Sequence, residues 1–366
     1  MQFIDLKTQY EQHRAEIDGR MRRVLEHGQF IMGPEIAELE SALARFIGVK
    51  YAITVASGTD SLEIALRALD IGPGHEVITV PFTWISSCEV IGLVGATPVF
   101  VDIEPQTYNI DVARIEAAIT PRTRAIIPVN LFGQMPDYAA INAIAAKHNL
   151  TVIEDAAQSF GATQHGRQSC GLAKISSTSF FPAKPLGCYG DGGALFTEDD
   201  ALNEKMRAIR THGGLKRHHH PLLGMNGRLD TLQAAVLLAK LPHFPAEVAA
   251  RNRIGARYTE LLRGSCDAPE IAPGNTHVYA QYTIRTSNPE ALGAALKGEG
   301  IPSAIYYPKC LHEQPVFAPL GYQWGAFPEA EKASRQVISL PMHPYLTEAE
   351  QDRIVAAVRR HATPAS

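Results

Sequence analysis

Short β-branched runs and longer amphipathic stretches alternate along most of this chain. The runs "YAITV", "EVITV", "PVFVD", "RAIIPV" and "TVIED" have the length and residue types of strands, and apolar residues recur at helical spacing between most of them. Strands joined through helices pair in parallel, so the pattern predicts an α/β fold: a mostly parallel, mixed sheet covered by helices. After the helical "RLDTLQAAVLLAKL" come Pro242 and Pro245, and the pattern changes. A helix over 246–263, a strand "VYAQYTIR" and shorter α and β pieces follow. The expected organisation is a large domain over residues 1–242 and a smaller C-terminal α/β domain over 243–366.

Composition narrows the partners. A formal net charge of -4 gives no electrostatic reason to expect nucleic acid or an anionic membrane. The opening "MQFIDLKTQYEQHRAE" is charged from its first turn and does not read as a signal peptide, and the longest apolar run, "VIGLVGATPVFV", is too short and too broken to cross a membrane. Five cysteines, with no C-x-x-C pair, suggest neither a disulfide framework nor a zinc site. A reducing cytoplasm is the expected address.

Ligands of open parallel sheets sit beyond the carboxyl ends of the strands, and three stretches fall there. In "ASGTDSL", Ser57, Gly58 and Thr59 open a helix, so their N–H groups and the positive helix end suit a phosphate; an ordinary N-cap explains the same residues. In "VIEDAAQSFGA", Asp155 ends a strand read as apolar up to that point, which places a carboxylate at the buried mouth of the sheet, where it needs a cationic partner. A helix-capping aspartate is the plain alternative. In "SFFPAKPLGCYGDGGALF", a strand signal over Ile175–Phe181 runs into Lys184, bounded by prolines and glycines. Partly desolvated there, the amine would have a lowered pKa and act as a nucleophile. The glycines precede a strand and so do not form a dinucleotide fingerprint.

A phosphate cradle, a buried aspartate and an activated lysine are the groups that pyridoxal 5'-phosphate requires. Trp84, in "PFTWISS", offers a flat surface for its ring or belongs to the core.

The motifs "ASGTDSL", "PFTW", "EDAAQSFGA", "TSFFPAKPLGCYGDGGALFT" and "GMNGRLDTLQAAVL", in this order and spacing, resemble the DegT-type sugar aminotransferases of fold type I. The resemblance runs from "GPEIAELE" to "SLPMHPYL" and implies the aspartate-aminotransferase-like fold. It also implies that Lys184 is the Schiff-base lysine, Asp155 the pyridinium partner and Gln158 a neighbour of the ring oxygen, with Gly58, Thr59 and Ser179 on the phosphate. Asn226 matches an asparagine that reaches the phosphate from a second subunit, which implies a homodimer. The implied reaction moves an amino group from L-glutamate to a keto nucleotide sugar.

The resemblance also bears on the sugar. "NGRLD" and the preceding "HGG…KRHHH" resemble members that aminate carbon 3, and "KPLGCYGDGG" points to enzymes of UDP-2-acetamido-2-deoxy-3-oxo-glucuronate, which serve bacterial surface polysaccharides such as lipopolysaccharide O-antigen. Arg228 is a partner for the uronate carboxylate, being suited to bidentate binding. His219 and His220 are expected on the nucleotide phosphates, and three adjacent histidines are no metal site. Tyr306 and Tyr307 lie in a loop that resembles one facing the sugar, but "YYPKCL" departs at Tyr306 from the subgroup's usual His-Tyr-Pro, which leaves a dTDP-linked 6-deoxy-3-oxo or a 4-oxo sugar as the alternative substrate. A cofactor-binding regulator without turnover is the alternative function.

Overall fold

In the computed structural model, residues 1–365 are described. Seven strands form the central sheet: β1 (Tyr51–Val55), β2 (Glu76–Thr79), β3 (Thr97–Phe100), β4 (Thr123–Ile126), β5 (Thr151–Asp155), β8 (Ile175–Ser179) and β9 (Gly193–Thr197). The short hairpin β6 (Thr163–Gln164) and β7 (Arg167–Gln168) lies apart, and β10 (Tyr282–Arg285) pairs antiparallel with β11 (Val337–Leu340) in a second sheet. The central order is β1-β9-β8-β5-β4-β2-β3. Only β9 runs against the rest, pairing antiparallel with both β1 and β8. The mostly parallel, mixed sheet is thus as the sequence pattern predicts.

β1, β2, β5 and β9 are buried along nearly their whole length, which is why strands such as these read as largely apolar runs. Helices α1 (Leu6–His27), α2 (Pro34–Ile47), α3 (Gly58–Ala68), α4 (Ser86–Leu93), the short α5 (Val112–Ile115), α6 (Tyr138–Lys147), α7 (Asp200–Arg210) and α8 (Thr231–Lys240) cover the faces. One layer of core, around Ile53, Val77 and Ile153, packs α3 and α7 on the sheet; another, around Phe160, Phe180 and Phe196, packs α2 and α8.

Pro242 falls between α8 and α9 (Phe244–Leu261), and α10 (Pro289–Gly298), α11 (Pro328–Gln336) and α12 (Glu348–His361) complete the C-terminal part. The last part has its own core, with Tyr258, Tyr282, Leu292 and Val358 at zero exposure. It is not separate from the large sheet everywhere: Cys310, Phe317, Phe327 and Val337 join the cluster of Phe82, Phe100 and Phe132. The strand expected over "VYAQYTIR" is shorter than the pattern suggests. Its first half turns aside to meet the 132–133 turn, where Val278 N–H donates to Gly133 O at 3.0 Å. No described helix is long and apolar enough to cross a membrane.

Candidate active site

Beyond the carboxyl ends of β1, β2, β5 and β8 lies a cavity of about 420 Å³. Ser57, Gly58 and Thr59 close one end of it, at the start of α3. Ser57 caps that helix, accepting from Asp60 N–H at 3.0 Å. The capping reading is therefore correct, and it does not compete with the phosphate reading: Gly58 and Thr59 donate their own N–H groups to no described residue. The approach is close. A Cβ at Gly58 would stand 2.7 Å from Ser179 Cβ, and one at Gly193 would stand 2.6 Å from Ser57 O. Only glycine lets β8, β9 and the start of α3 converge there.

Asp155, at the end of β5, is 4% exposed. Its Oδ2 accepts from Ser87 Oγ at 2.7 Å and its Oδ1 from Ala157 N–H at 3.2 Å. Burial pushes the carboxyl above its ordinary range, while Ser87, the Ala157 N–H and the Lys184 charge pull it back. The expected cationic partner is not in contact: no described cation forms an ion pair with Asp155, and Lys184 acts only from a distance. The strand before it is also not apolar throughout. Glu154 is wholly buried and accepts from Asn130, Ser169, Ser176 and the N–H groups of Cys170 and Leu172. Five donors in place of a cation make that carboxylate a structural clasp.

Lys184 reaches the same cavity from the loop after β8. Protein surrounds the amine, though the side chain keeps accessible surface within the cavity itself. Burial lowers its pKa and Asp155 opposes the shift. Its Nζ makes no hydrogen bond to a described residue. Gln158 is held by two contacts, accepting from Phe132 N–H at 2.7 Å and donating to Tyr307 OH at 3.1 Å. Trp84, Ser179, Tyr306 and Tyr307 also line the cavity; Trp84 is 58% exposed, so it is a wall and not core.

Asn226, Arg228, His219 and His220 do not line this chain's cavity. Asn226, His219 and His220 are exposed. Arg228 is half-buried, and its Nε is buried without a hydrogen-bond partner. Sequence reasoning missed Ser86, Ser87, Asp191 and Gln281, all on the cavity wall. Ser86 and Ser87 stood in the quoted "PFTWISS", two polar residues opening a helix straight after a buried strand. No three described His, Cys, Asp or Glu side chains are grouped to hold a metal ion. A larger cavity of about 550 Å³, bordered by Arg167 and Lys174, contains none of the reactive groups above.

The sequence profile of the DegT/DnrJ/EryC1/StrS aminotransferase family matches residues 11–359. The chain belongs to this family. It is 52% identical to UDP-2-acetamido-2-deoxy-3-oxo-D-glucuronate aminotransferase of Pseudomonas aeruginosa, over 98% of this chain and 99% of that one. A crystal structure of a family member from Brucella abortus superposes with a TM-score of 0.96 at 44% identity, covering 98% and 99% of the two chains. NtdA from Bacillus subtilis, solved with bound cofactor PMP, superposes at 0.89 with 31% identity, covering 98% and 82%. The DegT-family chain described here is a pyridoxal-phosphate-dependent aminotransferase with the fold of these enzymes. Its cavity fits the cofactor on three counts: two unpaired N–H donors at a helix start for the phosphate, a buried carboxylate lacking a cation for the pyridine N–H, and a buried amine lacking a partner for the aldehyde.

Proposed function

We propose that the enzyme moves the amino group of L-glutamate to carbon 3 of UDP-2-acetamido-2-deoxy-3-oxo-D-glucuronate, in the cytoplasm, for a bacterial surface polysaccharide such as O-antigen. The observation that carries this reading is the convergence of Lys184, Asp155 and the Ser57–Thr59 cradle on one cavity, in a chain 52% identical to an enzyme named for that substrate.

When bound, pyridoxal phosphate supplies an electrophilic carbon and a ring that accepts electrons. Gly58, Thr59 and Ser179 would hold its phosphate, and Asp155 would hold its ring nitrogen protonated. Gln158, fixed from both sides, would hold the ring oxygen. Lys184 has two tasks. Its lowered pKa keeps a larger share of the amine free to bond the cofactor, and Nζ would serve as the base that takes the proton from the substrate's Cα and as the acid that gives one back. With one water supplying the keto oxygen, glutamate would leave as 2-oxoglutarate and its amino group would be retained for the sugar. The second half-reaction runs the same proton transfer in reverse, and the sugar's keto group becomes an amine.

The site is a homodimer's in this reading. Asn226 lies outside its own chain's cavity and is exposed, as a residue serving a partner's phosphate must be. Phe30, Ile31 and Met32, adjacent in the chain, are exposed large apolar residues as well, suited to burial between subunits. Arg228, with its unpartnered Nε, is the group for the sugar's carboxylate, and His219 or His220 for the nucleotide phosphates. The division into 1–242 and 243–366 is part of the same proposal, supported by the separate core around Tyr258 and Tyr282.

Single-turnover assays decide the substrate. Glutamate should bleach the visible absorbance of purified holoenzyme, and the resulting form should then react fastest with the UDP 3-oxo-glucuronate among 3-oxo and 4-oxo nucleotide sugars. A preference for a dTDP 6-deoxy sugar would refute the uronate, and a protein that glutamate does not bleach would be a regulator.

A further inference from the structure

Lys240 ends α8 with 2% of its surface exposed. Burying an ammonium costs free energy unless its surroundings repay it, and an apolar side chain would fill the same space at lower cost. No described carboxylate forms an ion pair with it. Glu247 on α9, whose charge acts on it, already accepts from Gln9 and Tyr345. Its Nζ instead donates to Gly187 O at 2.7 Å and lies 4.2 Å from the centre of the Tyr189 ring. Gly187 and Tyr189 belong to the loop that carries Lys184.

Gln233 stands seven residues earlier, two turns along the same face of α8. Its Oε1 accepts from Tyr189 N–H at 2.8 Å. The loop therefore rests on one helix through two side chains, at Gly187 and at Tyr189. It is also folded tightly on itself. Lys184 N–H donates to Phe181 O at 2.8 Å, Cys188 N–H donates to Phe180 O at 2.8 Å, and a Cβ at Gly187 would stand 2.4 Å from Pro182 O. With 180–182 and 187–188 in contact, whatever holds 187–189 also fixes the turn at which Lys184 sits. The platform is rigid: α8 is buried from Ala234 to Lys240 and packs against both α1 and α2.

We infer that Lys240 and Gln233 are the positioning residues that set where Lys184 stands in the cavity. Neither touches cofactor or substrate; both act through the loop. The inference rests on the reading of Lys184 as the residue that bonds the cofactor. Burial lowers the Lys240 pKa to about 8 against the opposing pull of Glu247 and Cys188, and the Lys240 charge is among the effects that, after burial, lower the pKa of His13 on α1. The ammonium is thus held in place at a real cost, for one carbonyl and one ring.

The test uses full-length Lys240→Met, which keeps length and volume while removing the donor, and Gln233→Leu, which removes the acceptor. Apoprotein of each is checked by circular dichroism and thermal unfolding, then titrated with pyridoxal phosphate. The pH midpoint of the visible absorbance is measured on the loaded forms. Each variant should fold and bind cofactor about tenfold more weakly, the worth of one buried hydrogen bond, with that midpoint displaced from wild type. Folded variants with wild-type affinity and midpoint overturn the inference. If Lys240→Met does not fold, Gln233→Leu carries the test, since its contact is only part-buried; if neither folds, the residues are structural and the inference falls. Borohydride reduction of loaded wild type, followed by peptide mass analysis, separates the two readings: cofactor fixed elsewhere than at Lys184 removes the Lys184 assignment instead.

Discussion

Ser87→Ala isolates the hydroxyl that faces the buried carboxylate. Ser87 is 2% exposed, and its Oγ stands 2.7 Å from Asp155 Oδ2. Burial already raises the Asp155 carboxyl, and the Ser87 bond is the first of the effects that hold it down. Deleting the hydroxyl leaves only the Ala157 N–H in contact. The carboxyl must then take up a proton at higher pH than in wild type, because the ionised form alone has lost a donor. A hydrogen bond to a charged group contributes about 1.5–3 kcal/mol, and each factor of ten in affinity is about 1.4 kcal/mol. Cofactor bound through a ring N–H needs the carboxylate ionised. The variant should therefore bind pyridoxal phosphate up to about ten- to a hundredfold more weakly at acid pH, where its carboxyl is protonated and the wild type's is not, with the acid limb of binding moved toward neutral pH. Absorbance titrations of apoprotein across a pH series measure this directly. Ser87→Thr should restore the wild-type profile. If Ser87→Ala binds with wild-type affinity and an unmoved acid limb, Asp155 is not the group that the ring nitrogen meets.

Asp155→Asn should leave cofactor bound yet slow the glutamate half-reaction by several orders of magnitude in stopped-flow absorbance, since an amide cannot hold the ring nitrogen charged; an unchanged rate removes Asp155 from the chemistry. Lys184→Ala and Asn226→Ala should each be inactive or weak alone, but mixing and re-forming dimers should return activity, because one of the two shared sites in a hybrid keeps both wild-type residues. No recovery would argue against a shared site. Arg228→Ala should cost about 2–5 kcal/mol in kcat/KM for the uronate nucleotide, the loss expected when a buried charge loses its partner, with the glutamate half-reaction unaltered. Equal use of uronate and 6-deoxy substrates by the wild type would refute that role.

Much of the chemistry was legible because it sits where chain direction changes. Lys184 stood out between prolines and glycines, and Ser57–Thr59 and Asp155 each followed a β-branched run. What was not legible depends on contacts far apart in sequence. Ser87 meets Asp155 across 68 positions and Lys240 meets Gly187 across 53, and neither pairing leaves a local pattern. Glu154 was passed over for a different reason: its donors come from Asn130 and from 169–176, so the sequence shows a charged residue in a strand with no sign of the clasp around it. The shortened β10 has the same origin, since the residues that look like strand are claimed by the turn at Gly133. The C-terminal residues 310–337 join the large sheet's core for packing reasons that no boundary signal at Pro242 discloses.

The single reversed strand has an architectural consequence. Gly193 opens β9 opposite Val55 on one side and Ser179 on the other. The loop that bears Lys184 is therefore a cassette clipped at both ends to the strands that lead into Ser57–Thr59 and Ser179. Its length is under mechanical constraint: adding or removing one residue between Ser179 and Gly193 would either shift the register of β9, turning its side chains to the opposite face, or bulge the turn that bears Lys184. Residues 215–223 are exposed and attached to no strand of the sheet, so the register of β9 does not depend on their number. A change of length within 215–223 would therefore leave the strand register and the turn that bears Lys184 undisturbed.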